Sequence, residues 1–236
     1  MADPGGIAGW GPVDRLVAEA EELNPSYFSA EEIRELQRRF GVHGAQPRLG
    51  QLFTKGLDNL GPLRAHTLAR LEAVRPIVLE QSRKQQVNVM LMAAILFDEM
   101  QHAKPGEDMR ILAESGLFHD HGLAQLSIGE LEKQGKLRAD ATEAEVAAAL
   151  EKLLTPSENV KVLAGQMARL QKMLGVPKGH RLAVSTSRRD AKIAATIAYL
   201  HNGKLDYPQR ILGYMQDPAL HALIYSTRQR VVPFLI

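Results

Sequence analysis

The stretch VNVMLMAAILFDEMQH, residues 87–102, decides the fold of this chain. Nine successive apolar residues run from Val89 to Phe97, so a helix formed here has no polar side. The eleven residues from Val87 to Phe97 are too few to cross a bilayer, which takes about 20. We therefore predict a helix buried in the centre of the fold, ending at the two carboxylates of Asp98 and Glu99.

The rest of the chain carries repeated helix signals and almost no strand signals. Capping boxes, in which a Ser or Thr and a Glu satisfy each other's free backbone donors, are predicted at Ser29–Glu32, Ser127–Glu130, Thr142–Glu145 and Thr155–Glu158. Apolar spacing predicts helices over 13–23, 30–40, 63–74, 156–174 and 188–201, with two short final helices after Asp206 and Asp217. The expected fold class is all-α.

Pro76 suggests where to divide the chain. A proline lacks the backbone N–H that a helix interior needs, so we expect Pro76 to break a helix or to begin a new one. We accordingly predict an N-terminal helical extension over residues 1–75 and a compact domain over residues 76–236.

Composition excludes several classes of protein. The 29 basic and 27 acidic residues are spread along the chain, and no block of like charges indicates an arm that binds nucleic acid. No cysteine is present, so disulfides and thiolate metal sites are ruled out. No apolar stretch is long enough for a membrane span.

Three motifs occur in a specific order: AILFDE at 94–99, GLAQ at 122–125 and AYLHNG at 198–203. Here the chain resembles the soluble lytic transglycosylases and goose-type lysozymes. In that superfamily a catalytic Glu ends a buried helix, and a Gly-Leu-Met-Gln loop, an Asn-led helix and an Ala-Tyr-Asn-x-Gly motif follow. Asn159 lies where the Asn-led helix belongs. The resemblance covers about half of the chain and implies a lysozyme-like helical domain.

The resemblance also implies roles for individual residues. Glu99 is the expected catalytic acid of a muramidase that cleaves the MurNAc–GlcNAc β-1,4 bond of peptidoglycan glycan strands. Gly122, Gln125, Tyr199 and Asn202 are the expected substrate-binding residues: Gln125 would bind an N-acetyl group, and Tyr199 would stand beside the acid.

A physical argument for Glu99 is independent of the resemblance. A glycosidase acid must carry a proton at working pH and still be able to release it. A buried position and the negative end of a helix dipole both favour a neutral carboxyl. Asp98 is one residue away, about 100° round the helix, so we expect the two carboxylates to occupy different sites.

The sequence leaves open which product the cleavage gives. In the transglycosylase branch one carboxyl acts first as acid and then as base on the muramic acid C6 hydroxyl, whereas lysozymes activate water with a second carboxylate. Asp108, Glu114 and Asp120 are candidates for that second group.

The histidines His102, His119 and His121, together with Asp120, also permit a metal site. Glu99-x-x-His102 matches half of a di-iron motif, but the chain holds no second copy. We therefore predict no metal and no cofactor, with the histidines bordering a polar cleft.

A rival interpretation is a non-catalytic lysozyme-like module that binds the cell wall or a partner. The complete set of Glu99, Gln125 and Tyr199 favours an enzyme instead. The N-terminus shows no secretory signal, so we expect an antibacterial effector or phage-type enzyme that reaches the wall by non-classical delivery. An immunity protein that inhibits the cleft would be the natural partner of an effector.

Overall fold

A computed structural model describes residues 23–41, 61–103 and 120–226. These residues are mostly helical. The helices are α1 (Ala30–Phe40), α2 (Gly61–Gln85), α3 (Val89–Gln101), α4 (Ile128–Lys133), α5 (Glu143–Leu154), α6 (Pro156–Met173), α7 (Arg188–Asn202), α8 (Tyr207–Tyr214) and α9 (Pro218–Tyr225). Two short strands, β1 (Asp120–His121) and β2 (Leu126–Ser127), pair antiparallel before α4. The all-α prediction is confirmed for this part of the chain.

Helix α3 lies at the centre, as predicted. The side chain of Asn88 accepts a hydrogen bond from the Leu91 N–H and begins the helix, and every residue from Met90 to Gln101 is buried. Helices α2, α8 and α9 pack around it. A hydrogen bond of 2.7 Å from the Thr67 hydroxyl to Gln101 ties α2 to the end of α3. The carboxylates at that end are therefore held by packing on several sides.

The predicted break at Pro76 is wrong, because α2 runs without interruption through that residue. Leu71 and Val78 are fully buried on either side of it, and Arg75 donates to the backbone oxygens of Ile224 and Ser226. This packing outweighs the one helical hydrogen bond that a proline removes. The chain turns ten residues later, where Gln86 adopts a left-handed φ of 57°. The boundary proposed at residue 75 thus falls inside a continuous helix.

Two of the predicted capping boxes are confirmed. Ser29 and Glu32 bond reciprocally at the start of α1, and Thr142 and Glu145 do so at the start of α5. The other two are wrong. Ser127 and Thr155 make no side-chain cap, and the two glutamates expected to complete these boxes are paired with basic side chains.

Glu130 and Glu158 are the two glutamates that do not cap. Arg169 Nη2 lies 2.6 Å from Glu130 Oε2, and Lys161 Nζ lies 2.6 Å from Glu158 Oε1. Arginine and lysine offer a carboxylate a full positive charge, whereas a backbone N–H offers only a dipole, which favours the pairing with the base. The helices themselves begin within one residue of the predicted positions.

Helix α1 and the residues before it lie against α7. Lys192 Nζ lies 3.9 Å from the centre of the Phe28 ring and 3.2 Å from Glu32, and it also bonds the Tyr27 carbonyl oxygen. Phe28 is buried and packs on Ala195. The helix predicted over 13–23 lies, apart from Leu23, outside the described residues. None of the helices in the described ranges combines the length and the hydrophobicity of a membrane span.

Candidate active site

Glu99 lies in the last turn of α3 with 9% of its surface exposed. Three side chains approach a single carboxyl oxygen, Oε1. They are the Tyr207 hydroxyl at 2.7 Å, Asn202 Nδ2 at 3.3 Å and His201 Nε2 at 3.4 Å. Oε2 has no hydrogen-bond partner among the described residues. One oxygen of the Glu99 carboxyl group is thus held in place by three side chains.

Tyr207 is the closest of these neighbours and was not predicted from the sequence. It is fully buried at the start of α8. Burial raises the pKa of its phenol well above the ordinary value, and the negative charges of Glu99 and Asp98 raise it further, although Arg210 opposes them. The hydroxyl therefore keeps its proton at neutral pH and donates a hydrogen bond to Glu99.

Asp98 occupies a separate site, as its position round the helix predicted. It is buried and forms a two-point pair with Arg210, whose Nη2 lies 3.1 Å from Oδ2 and whose Nε bonds Oδ1. Burial lowers the pKa of Arg210, but the bond to Asp98 outweighs it, and the net shift is upward. Arg210 also stacks on the Tyr207 ring, 5.2 Å from its centre, so the Asp98 pair supports the tyrosine that holds Glu99.

Asn202 and His201 end helix α7. Gly203 terminates the helix with a left-handed φ of 79°. The predicted binding residue Asn202 is accordingly brought to the acid, where its amide donates to Glu99. Its Oδ1 is buried and has no hydrogen-bond partner in the described part of the chain. His201 is a second residue of the site that sequence reasoning did not identify.

The loop between β1 and β2 contains two further predicted binding residues, Gly122 and Gln125. Gly122 has a left-handed φ of 74°, and a Cβ placed there would lie 2.2 Å from the Leu153 carbonyl oxygen and 2.4 Å from Asn159 Nδ2. Gln125 also has a positive φ, of 45°, and its Nε2 donates to the Gly122 oxygen. Its side-chain oxygen takes no bond from the described residues.

Asn159 holds this loop in place. It is fully buried, accepts a bond of 2.8 Å from the Ala124 N–H, and donates to the carbonyl oxygens of His121 and Leu153. The oxygen and the nitrogen of its amide thus both have hydrogen-bond partners inside the protein. A side chain at position 122 would collide with Asn159. The glycine therefore has a structural reason in addition to its predicted binding role.

Tyr199 lies in a different place from the one the resemblance implied. It is fully buried against Phe28, with ring centres 5.6 Å apart, and it hydrogen-bonds Gln37 of α1. Burial raises the pKa of its phenol. Within the described residues, the hydroxyl that stands beside Glu99 is that of Tyr207.

The remaining predicted groups concern metals and a second carboxylate. No cluster of three or more His, Asp or Glu side chains in the described ranges is placed to hold a metal ion. His102 lies at the end of α3 and contacts Asp98 at 3.3 Å, and His121 is buried. Asp108, Glu114, His119 and the side chain of Asp120 lie outside what is described.

No protein-family model, no curated protein and no solved structure matches the chain. The Glu99 site combines a carboxyl group with one oxygen held by three side chains and a buried ion pair whose arginine stacks on the tyrosine donor.

Proposed function

We propose that this chain is a muramidase of the lysozyme-like type, which cleaves the β-1,4 bond between MurNAc and GlcNAc in peptidoglycan with Glu99 as general acid. The observation that carries the proposal is the asymmetry of the Glu99 carboxyl. Oε1 accepts from Tyr207 and Asn202, so the negative charge that forms on proton transfer meets donors already in place. Oε2 is the oxygen that can face a glycosidic bond.

The proposed first step is a proton transfer. The Glu99 proton moves to the glycosidic oxygen while the bond from that oxygen to C1 of MurNAc breaks. In the second step Glu99, now a carboxylate, takes a proton from the attacking oxygen. That oxygen belongs either to the C6 hydroxyl of the same sugar, which closes an anhydro ring, or to water, which leaves a reducing end. Gln125, with its spare side-chain oxygen, would accept from an N-acetyl N–H.

The test is digestion of purified sacculi by the wild type and by Glu99→Gln, with the soluble products identified by mass spectrometry. Gln cannot donate the proton, so we expect release of fragments to fall by about 100-fold or more. Anhydro products would indicate a transglycosylase, and reducing ends a lysozyme.

Glu158→Gln is the matched control, because Glu158 lies on the surface and pairs only with Lys161 among the described residues. We expect it to digest sacculi at the wild-type rate. Equal release by Glu99→Gln and the wild type would refute the role of Glu99. Sedimentation of an inactive wild type with sacculi would instead support the rival interpretation, a non-catalytic module that binds the wall.

A further inference from the structure

A chain of buried polar side chains leads away from Glu99. His201 Nδ1 lies 2.8 Å from Gln166 Oε1, and Gln166 Nε2 lies 3.5 Å from Glu130 Oε2. Glu130 in turn is paired with Arg169. The side chains of His201 and Glu130 are each only 3% exposed. Buried polar groups in such a chain constrain one another's proton positions.

The orientation of the Gln166 amide follows from Glu130. Both oxygens of Glu130 accept, from Arg169 and, at 2.9 Å, from Gln134 Nε2. A carboxylate paired with arginine is only an acceptor, so the Gln166 group that faces it must be the NH₂. The side-chain oxygen of Gln166 therefore faces His201, and Nδ1 of His201 must carry a hydrogen.

This assignment determines what the other ring nitrogen does. With Nδ1 protonated, a neutral His201 has only a lone pair at Nε2, and Nε2 lies 3.4 Å from Glu99 Oε1. Two lone pairs at that distance repel, so the contact is favourable only when a proton belongs to one of the two groups. We propose that His201 is the proton partner of Glu99, that the pair holds one proton between Nε2 and the carboxyl group, and that Gln166 fixes the tautomer which makes this possible.

Other charged groups also face this pair. Tyr207 approaches from α8, with its ring centre 6.0 Å from that of His201. Asp98 lies beside Glu99 on α3 and is neutralised by Arg210, and His102 contacts Asp98. The charge of Asp98 is thus balanced within its own site. Tyr207 can only donate to Glu99, which leaves His201 as the neighbour able to take up and return a proton.

The consequence for catalysis rests on the proposed function. Because Nδ1–H is committed to Gln166, any proton that His201 exchanges passes through Nε2, toward Glu99. His201 is a positioning residue in this scheme, since it touches the acid and not the sugar. We expect His201→Gln to lower kcat about tenfold on solubilised glycan strands with KM unchanged, because substrate contacts stay in place.

The decisive experiment does not depend on activity. ¹⁵N-histidine-labelled protein is examined by NMR at neutral pH, and the His201 signals are identified by their loss in His201→Gln. We expect Nδ1 to be protonated in the wild type. In Glu99→Gln, we expect the Nε2 resonance to move toward the position of an unprotonated ring nitrogen, since the shared proton is lost.

The variant Gln166→Leu tests the tautomer. We expect His201 to populate both tautomers once Nδ1–H has no fixed acceptor. Gln134→Leu is the matched control, because Gln134 also bonds Glu130 but does not contact His201. His201 should keep the wild-type tautomer in that control.

Two results would overturn the proposal. One is a wild-type ring protonated at Nε2 and bare at Nδ1. The other is an Nε2 resonance that is the same in the wild type and in Glu99→Gln. The wild-type spectrum decides the tautomer even where a variant fails to fold. Failure of the proposed function is distinguishable, because it would leave sacculi uncut without changing these spectra.

Discussion

Replacing Gly122 with alanine separates a structural role for this glycine from a binding role. The added methyl group would lie 2.2 Å from the Leu153 carbonyl oxygen and 2.4 Å from Asn159 Nδ2, both far inside van der Waals contact. The first atom is helix backbone, and the second belongs to an amide that makes three hydrogen bonds. Relief of the clash must therefore move the loop or break bonds of Asn159.

The cost of Gly122→Ala has two parts. A non-glycine residue in the left-handed region costs about 1–2 kcal/mol. Forcing a methyl group into packed surroundings costs about 1–3 kcal/mol more. We expect the free energy of unfolding to fall by about 2–5 kcal/mol in total. Urea denaturation measures it, with an unchanged m-value showing that the unfolded state is unaltered.

Gly175→Ala is the control that isolates the first part. Gly175 has nearly the same φ, 73°, but no atom lies within 4 Å of where its Cβ would be. We expect it to lose only about 1–2 kcal/mol. Equal losses for the two variants would refute the reasoning, because Gly122 would then not be pressed against Asn159.

Three further predictions concern the site and its surroundings. Arg210→Ala should lower the free energy of unfolding by about 3–5 kcal/mol, since it leaves the carboxylate of Asp98 buried and unpaired; a loss below 1 kcal/mol in urea denaturation would contradict this. Tyr207→Phe removes a hydrogen bond to Glu99 and should slow release of fragments from sacculi by about 10- to 100-fold, with unchanged release as the opposing result. Asp190 is buried, which raises its pKa, but bonds from the Ala183 N–H and His180 outweigh this effect and lower the pKa overall. The stability that the ionised Asp190 contributes should be present above about pH 3.9 and lost as the pH falls further. The free energies of unfolding of the wild type and of Asp190→Asn, measured against pH, should therefore converge at low pH.

The elements that the sequence predicted well are those whose signal is local. Residues 89–97 are apolar on every side, so only a central position could bury them, and α3 takes that position. Val160, Leu163, Met167 and Leu170 recur at helical spacing and are all buried in α6. Gly203 follows its helix and ends it with a positive φ. Each of these outcomes depends on residues within two or three turns.

Predictions that depended on a choice between partners were less successful. Glu130 has a local partner, the Ser127 N–H, and a distant one, Arg169, which is 39 residues away along the chain. Only the packing of α4 against α6 brings that arginine within reach. Pro76 is a similar case, because its local preference for a break is overridden by contacts of α2 with α3 and α9. Sequence patterns contain no information about such competitors.

The two tyrosines show the same principle at the site. Tyr199 matched the motif, but the face of α7 that it shares with Ala195 is covered by Phe28, from a segment to which the motif does not extend. The left-handed turn at Gly203 instead lets α8 return to α3, which places Tyr207 against Glu99. A signal for this existed in the sequence. Tyr207 and Arg210 are three residues apart and so share a face of a helix. Together they offer one hydroxyl and one guanidinium to the adjacent acids Glu99 and Asp98. Glu99 accepts from the phenol and Asp98 pairs with the guanidinium, and that complementarity, more than the motif, identifies the partner of the acid.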